Sequence, residues 1–353
     1  MSRIGGIRNI LAEMGADVYY ISSIFNIRYI TGFSGSSAFV LITKDKNYFI
    51  TDFRYKDQSA QQVKGFDIRI TSHQMDEIKK IFEDNSVKTA VFESTHVSCD
   101  HLKKLEEALP GIKFLPAPEK IERLTMCKTP DEIGKLKKAV GISDRTFDKI
   151  LGIIKPGMKE SEVSNELSYW HKKFGALKDS FDAIVASGWR GALPHGIASD
   201  KVIEKGDMVT LDFGCVYEGF CSDITRTIAV GEPSGEMKKV YQIVLDSQLK
   251  AINGARSGIS TIELDKIARD HITSFGYGEK FGHGLGHGLG ILVHELPSVS
   301  RKMEMNLPEG VVVTIEPGIY IEGVGGVRIE DDVLIKNGSC EVLNKAPKEL
   351  IIL

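Results

Sequence analysis

A chain of 353 residues with 42% hydrophobic and 26% charged side chains is ordinary globular protein, long enough for two domains with real cores, so disordered and fibrous classes are set aside. A formal net charge of −3 with no Lys/Arg block leaves no footprint for a nucleic acid or a membrane surface, and a small or peptidic ligand is expected. Cys99, Cys127, Cys215, Cys221 and Cys340 are odd in number and lack C-x-x-C spacing, which argues against a disulfide framework or structural zinc and for a reducing, cytoplasmic setting.

At the N-terminus, Ile4, Ile7, Leu11 and Met14 recur at helical spacing without a continuous apolar stretch, so the segment reads as an amphipathic helix and not a signal peptide. No run reaches transmembrane length. Up to about residue 122, short helical patterns alternate with the strand-like runs DVYYIS, AFVLIT, NYFITD, KTAVFES and GIKFLPA, and KDKN at 44–47 reads as a hairpin turn. This predicts a small α/β domain over 1–122 and a second domain over 123–353. Near the boundary, Thr129, Pro130 and Glu132 supply an N-cap, a proline at the first helical position and a capping-box glutamate, so a long helix should run to about Ile154.

The second domain contains a degenerate repeat. KPGMKESEVSNEL (155–167) can be set over RSGISTIELDKIA (256–268), each a Gly-bearing start to an amphipathic helix that runs to a Phe-Gly, Phe174-Gly175 and Phe275-Gly276. Further on, GDMVTLDFG (206–214) matches GVVVTIEPG (310–318), which makes Asp212 and Glu316 pseudo-equivalent. The next strand of each half adds a second carboxylate, Asp223 and Glu330.

Between Asp212 and Asp223, GCVYEG reads as a hairpin turning near Tyr217, Glu218 and Gly219, which puts both aspartates on one sheet face, opposite or diagonal to each other. Carboxylates that close repel unless a cation or a proton sits between them, and with apolar strand neighbours a metal is the natural partner. The segment FGHGLGHGLG (281–290) carries His283 and His287 in a backbone too Gly-rich for a stable helix, where a neutral imidazole on a loop or strand can reach a metal.

With these motifs in view, the sequence resembles the M24 pita-bread metallopeptidases across essentially its whole length, in particular the aminopeptidase P and prolidase branch. The resemblance rests on LDFG, SDITRT, the second His of HGLGHGLG, TIEPG and VRIED, and it implies Asp212, Asp223, His287, Glu316 and Glu330 as the ligands of two divalent metal ions. Asp212 would hold one ion, His287 and Glu316 the other, and Asp223 and Glu330 both. An oxygen-rich site favours manganese or cobalt, with zinc a third candidate. The implied fold is α/β (α+β), a creatinase/prolidase-type N-terminal domain followed by a pita-bread domain with a pseudo-twofold repeat. The implied reaction is hydrolysis of the bond between an N-terminal residue and proline by a hydroxide shared between the ions.

Matched positions extend to His195 in LPHG and His294 in LVHE as catalytic histidines, on the leaving-group and oxyanion sides respectively, with Glu316 shuttling a proton. His283 would line the proline pocket. Arg328 is the second candidate on the substrate side; it shares a strand face with Glu330, so it either supports a ligand carboxylate or forms a plain salt bridge. The remaining histidines, His73, His96, His101, His171 and His271, read as ordinary surface residues. The implied partners are small peptides with proline second and a second copy of the chain, a homodimer, with no nucleic acid and no membrane. Methionine aminopeptidases generally lack a domain like 1–122, and creatinase and the peptide- or histone-binding relatives have lost the ligand set, so each fits less well.

Overall fold

The computed structural model describes residues 2–353, which divide into two compact units, one ending at Thr125 and the other spanning Met126–Leu353. In the first unit a six-stranded mixed sheet has the spatial order Asp67–Ile70, Asn47–Thr51, Phe39–Thr43, Val18–Ile21, Thr89–Phe92, Lys113–Pro116. The β-branched and aromatic runs occupy its four central strands, which bury both faces against helices. The strand Asp67–Ile70 has no counterpart among the expected runs, because it is a short edge strand whose Asp67 and Arg69 break the apolar signal.

The second unit opens with the helix Pro130–Leu151, capped by the reciprocal Thr129 and Glu132 bonds and ending slightly before the expected Ile154. Together with the helix Glu160–Lys173 it covers one face of an antiparallel sheet made of Ile184–Ser187, Asp207–Phe213 and Ile224–Val230. The second repeat does the same with the helices Gly235–Gly254 and Thr261–Ser274 over the strands Glu295–Val299, Gly286–Gly288, Val312–Ile315, Asp331–Lys336 and Ser339–Val342. The paired glycines that frame the repeat share a left-handed backbone, with φ of 94° at Gly157 and 87° at Gly258, then 103° at Gly175 and 87° at Gly276. An L side chain is disfavoured there, which is why glycine marks both helix starts and both helix ends.

Period-two alternation decides which faces carry chemistry. Val209, Leu211 and Phe213 turn toward the helices of the first repeat and leave Thr210 and Asp212 on the other face; Val313 and Ile315 do the same for Thr314 and Glu316. Each half is therefore a helix-backed sheet that presents carboxylates from its uncovered side. The hairpin between the aspartates turns at Glu218 and Gly219, both with positive φ (45° and 82°), and pairs Asp212 with Thr225, so Asp223 stands diagonal to Asp212.

Candidate metal centre

The uncovered faces of the two sheets meet at a cavity of about 600 Å³ lined by Asp212, Asp223, His287, Glu316 and Glu330 together with His195, His283, His294, Tyr320 and Arg328. That volume suits a small ligand. The tightest group is Asp223, His287 and Glu330, whose potential donor atoms all lie within 4.8 Å of one another. His287 Nε2 is 3.7 Å from Asp223 Oδ2 and 3.4 Å from Glu316 Oε1. Asp212 lines the same cavity, but its Oδ2 accepts from Arg328 at 2.6 Å.

His287 sits mid-strand between Gly286 and Gly288, a strand squeezed between two others. A Cβ at Gly286 would fall 2.0 Å from the Thr314 carbonyl oxygen, and one at Gly288 2.1 Å from that of Leu296. The glycine richness of this segment thus serves close backbone approach, and the imidazole stands on the middle strand because its neighbours have no side chains.

Burial and mutual repulsion dominate the electrostatics. Desolvation, with the charges of Glu330 and Asp212 next, pushes the Asp223 carboxyl well above the usual range, and Glu330 is raised by burial and by Glu316 and Asp212. Burial likewise pushes Glu316 up to about 8. The same burial, assisted by His294, brings His287 down to about 4, so its imidazole is neutral at physiological pH and has a lone pair to donate. Oδ1 of Asp212 and Oδ1 of Asp223 are buried without a hydrogen-bond partner. Two orphaned carboxylate oxygens, a group of acids that resist ionising together and a neutral imidazole are what a divalent cation relieves, so the residues fit the group the donor set calls for.

Around this cluster Arg328 is the hub. Its guanidinium donates to Asp212 Oδ2, to Thr225 Oγ1 at 3.1 Å, to the Tyr320 hydroxyl at 2.8 Å and to the Pro194 carbonyl at 3.2 Å. Thr225 passes the restraint on, donating to Glu330 Oε2 at 2.6 Å, and Tyr320 lies 2.8 Å from His283 Nε2. The His294 ring stands edge-on to that of His287 with centroids 4.2 Å apart. His195 lines the cavity from the loop that follows the strand Ile184–Ser187.

Sequence reasoning left out several members of the site. Thr225 and Thr314, two residues from Asp223 and Glu316, were legible by alternation; Thr314 donates to Glu316 Oε1 at 3.1 Å and receives the His287 amide at 3.0 Å. Asp332, whose Oδ2 accepts the Asp223 amide at 3.1 Å, and the contact of Tyr320 with His283 carry no local signal because these partners are far apart in the chain. One expectation fails outright: His171 is not a surface residue but 1% exposed, on the inner face of the helix Glu160–Lys173, with Nδ1 2.7 Å from Asp179 Oδ1. His101 is only partly exposed, its Nε2 2.8 Å from the Tyr20 hydroxyl.

A duplicated helix-on-sheet unit that gathers acids and an imidazole in a cavity defines a metallohydrolase type of centre. Residues 134–337 match metallopeptidase family M24, and residues 3–127 match the creatinase/prolidase N-terminal domain. A Xaa-Pro dipeptidase of Pyrococcus horikoshii is 41% identical over 95% of this chain and 94% of its own. The solved structure of a Xaa-Pro dipeptidase from Bacillus anthracis is 46% identical, covers 99% of both chains and superposes with a TM-score of 0.98. An X-Pro aminopeptidase structure from Thermotoga maritima is 41% identical over 100% of both chains, with a TM-score of 0.91. The chain belongs to metallopeptidase family M24, with a creatinase/prolidase-type N-terminal domain.

Proposed function

We propose that this protein hydrolyses the peptide bond between an N-terminal residue and proline, as a Xaa-Pro dipeptidase or aminopeptidase dependent on two divalent metal ions. The observation that carries the reading is the close group of Asp223, His287 and Glu330, its two acids buried, in a chain alike over nearly its full length to Xaa-Pro peptidases. Asp212 would hold one ion, His287 and Glu316 the other, with Asp223 and Glu330 shared; the oxygen-rich donors favour manganese or cobalt, with zinc a third candidate. The ions, when bound, supply an activated water as nucleophile near neutral pH and polarise the scissile carbonyl.

The chain's own residues do the rest. Arg328 and Thr225 hold the carboxylates of Asp212 and Glu330 in position, so little reorganisation is needed as charge develops. His294, beside His287, donates to the developing oxyanion, and His195, which lines the same cavity, serves the leaving proline nitrogen. Glu316, 3.4 Å from His287 Nε2 at the edge of the ligand group, would accept the proton of the attacking water as a carboxylate and return it to the amine. His283, neutral and hydrogen-bonded to Tyr320, lines the proline side. We further propose a cytoplasmic homodimer, tested by light scattering in solution. No helix among the described residues is long and apolar enough to cross a membrane.

The test is hydrolysis of Xaa-Pro, Xaa-Pro-Yaa and Xaa-Ala peptides after loading with manganese or cobalt. Cleavage restricted to the proline peptides, lost with a chelator, is expected. Equal turnover of Xaa-Ala overturns the specificity, and no turnover of any peptide overturns the reading.

A further inference from the structure

The internal repeat reaches beyond the ligand carboxylates to the way the cavity walls are held. In the first repeat the helix start forms a short ladder with a returning segment: Gly157 N donates to Ile203 O at 2.9 Å, Ile203 N to Met158 O at 2.8 Å, and Glu160 N to Lys201 O at 3.0 Å. In the second repeat Gly258 N donates to Leu307 O, Leu307 N to Ile259 O and Thr261 N to Met305 O, each at 2.9 Å. The isolated bridges Lys159 to Val202 and Ser260 to Asn306 fall at the same step of each ladder. Glu160 and Thr261 are therefore equivalent, the first residue of each repeat helix, and both are 0% exposed.

Their side chains do the same work on different loops. Glu160 Oε1 accepts from the amide and hydroxyl of Ser187 at 2.7 and 2.9 Å, and Oε2 accepts from the amide and hydroxyl of Ser199 at 3.2 and 2.7 Å and from Arg190. One buried carboxylate thus ties together both ends of the loop 188–198, which brings Pro194, His195 and Ile197 to the cavity. Thr261 donates its hydroxyl to the Met303 carbonyl and accepts the Met305 amide at 3.1 Å. The segment it holds carries Ser300, Arg301 and Lys302 to the lining of the same cavity, the last two exposed.

We propose that Glu160 and Thr261 are paired positioning residues, which set His195 and the cationic rim of Arg301 and Lys302, respectively, against the metal centre. A carboxylate serves the first loop because its anchor must satisfy five donors, and a hydroxyl suffices for the second, which offers one carbonyl and one amide. The consequence for catalysis rests on the Xaa-Pro reading; the anchoring does not.

Two measurements test this: amide hydrogen exchange on the metal-free protein, and kinetics of the metal-loaded enzyme on a Xaa-Pro dipeptide. Glu160→Gln should speed exchange in 188–199 with the rest of the protein unchanged, and lower kcat about tenfold or more with KM within about twofold. Arg190→Met, which removes the loop's partner and not the anchor, should reproduce the local loosening even if the first variant fails to fold. Thr261→Val should loosen 300–306 alone and raise KM about three- to tenfold with kcat nearly kept, and Thr261→Ser should restore it. Exchange that rises uniformly, or loops that stay protected, overturns the anchoring. Loosened loops with unaltered kcat and KM overturn its catalytic consequence, and a wild-type enzyme inert on proline peptides counts against the proposed function alone.

Discussion

His294 faces His287 edge-on at 4.2 Å, and burial lowers its basicity, so it is a neutral donor aimed into the cavity. If it serves the oxyanion, His294→Ala should lower kcat by about 10²–10³ with little change in KM, the scale of losing one such donor; a purely raised KM would make it a binding residue. Asp223→Asn and Glu330→Gln keep the volume of the two most crowded carboxylates but remove the charge a shared cation needs. Both should abolish turnover while the circular dichroism stays native, and normal turnover by either variant, with its metal content checked, contradicts the two-metal assignment. His283 gives a pH signature of its own. Burial, with Arg328 next, lowers it from the ordinary 6.5 to about 4, so between those values the unfolded chain takes up a proton that the fold refuses. Its contribution to stability is full above pH 6.5 and is lost as pH falls toward 4, so denaturant unfolding of the wild type should weaken over that window more than that of His283→Asn. Parallel curves would contradict the buried neutral state.

At the level of elements, the strand Gly286–Gly288 tolerates no side chain next to its histidine. Gly288→Ala must displace the Leu296 backbone, costing on the order of 3 kcal/mol and weakening metal binding, measurable by thermal unfolding and calorimetric titration. In the first unit, Glu93 is 1% exposed and ties two elements together, accepting from the amides of Ser22 and Ser23 at 2.7 and 2.8 Å and from Asn26 Nδ2 at 2.7 Å. Glu93→Ala leaves the buried Ser23 amide unmet and Asn26 Nδ2 with Glu122 alone, and a loss on the order of 3 kcal/mol is expected in chemical denaturation. Both elements show why local reading goes only so far. The Gly-His-Gly pattern told of a non-helical backbone, but that both glycines are demanded by neighbouring carbonyls depends on strands that arrive from residues 296 and 314.

For the whole molecule, the repeat is the main device. The large core clusters behind the two sheets, a smaller one around Ile142 and Cys215, and every proposed ligand lie within Met126–Leu353. A chain beginning at Met126 should therefore fold cooperatively and bind two equivalents of manganese by calorimetry; a chain that does not fold would show that its core is not self-sufficient. What the amino-acid order determined by itself was the material of the site: carboxylates and histidines at repeat-related positions, strands whose alternation assigns each a face, capped helix starts, and glycines where φ is positive. Those properties are local, set by sterics and period, and they survive in a linear reading. The tertiary structure decided the rest. Arg328 spends its donors on Asp212, Thr225, Tyr320 and Pro194; His171 turns inward to Asp179; Arg226, between two threonines of SDITRT, faces away from the cavity toward Asp331 and the carbonyls of Ala346 and Pro347. Many of these partners are more than a hundred residues apart, and a buried charge takes whichever partner the packing of the two sheets brings within reach, a choice no sequence interval encodes.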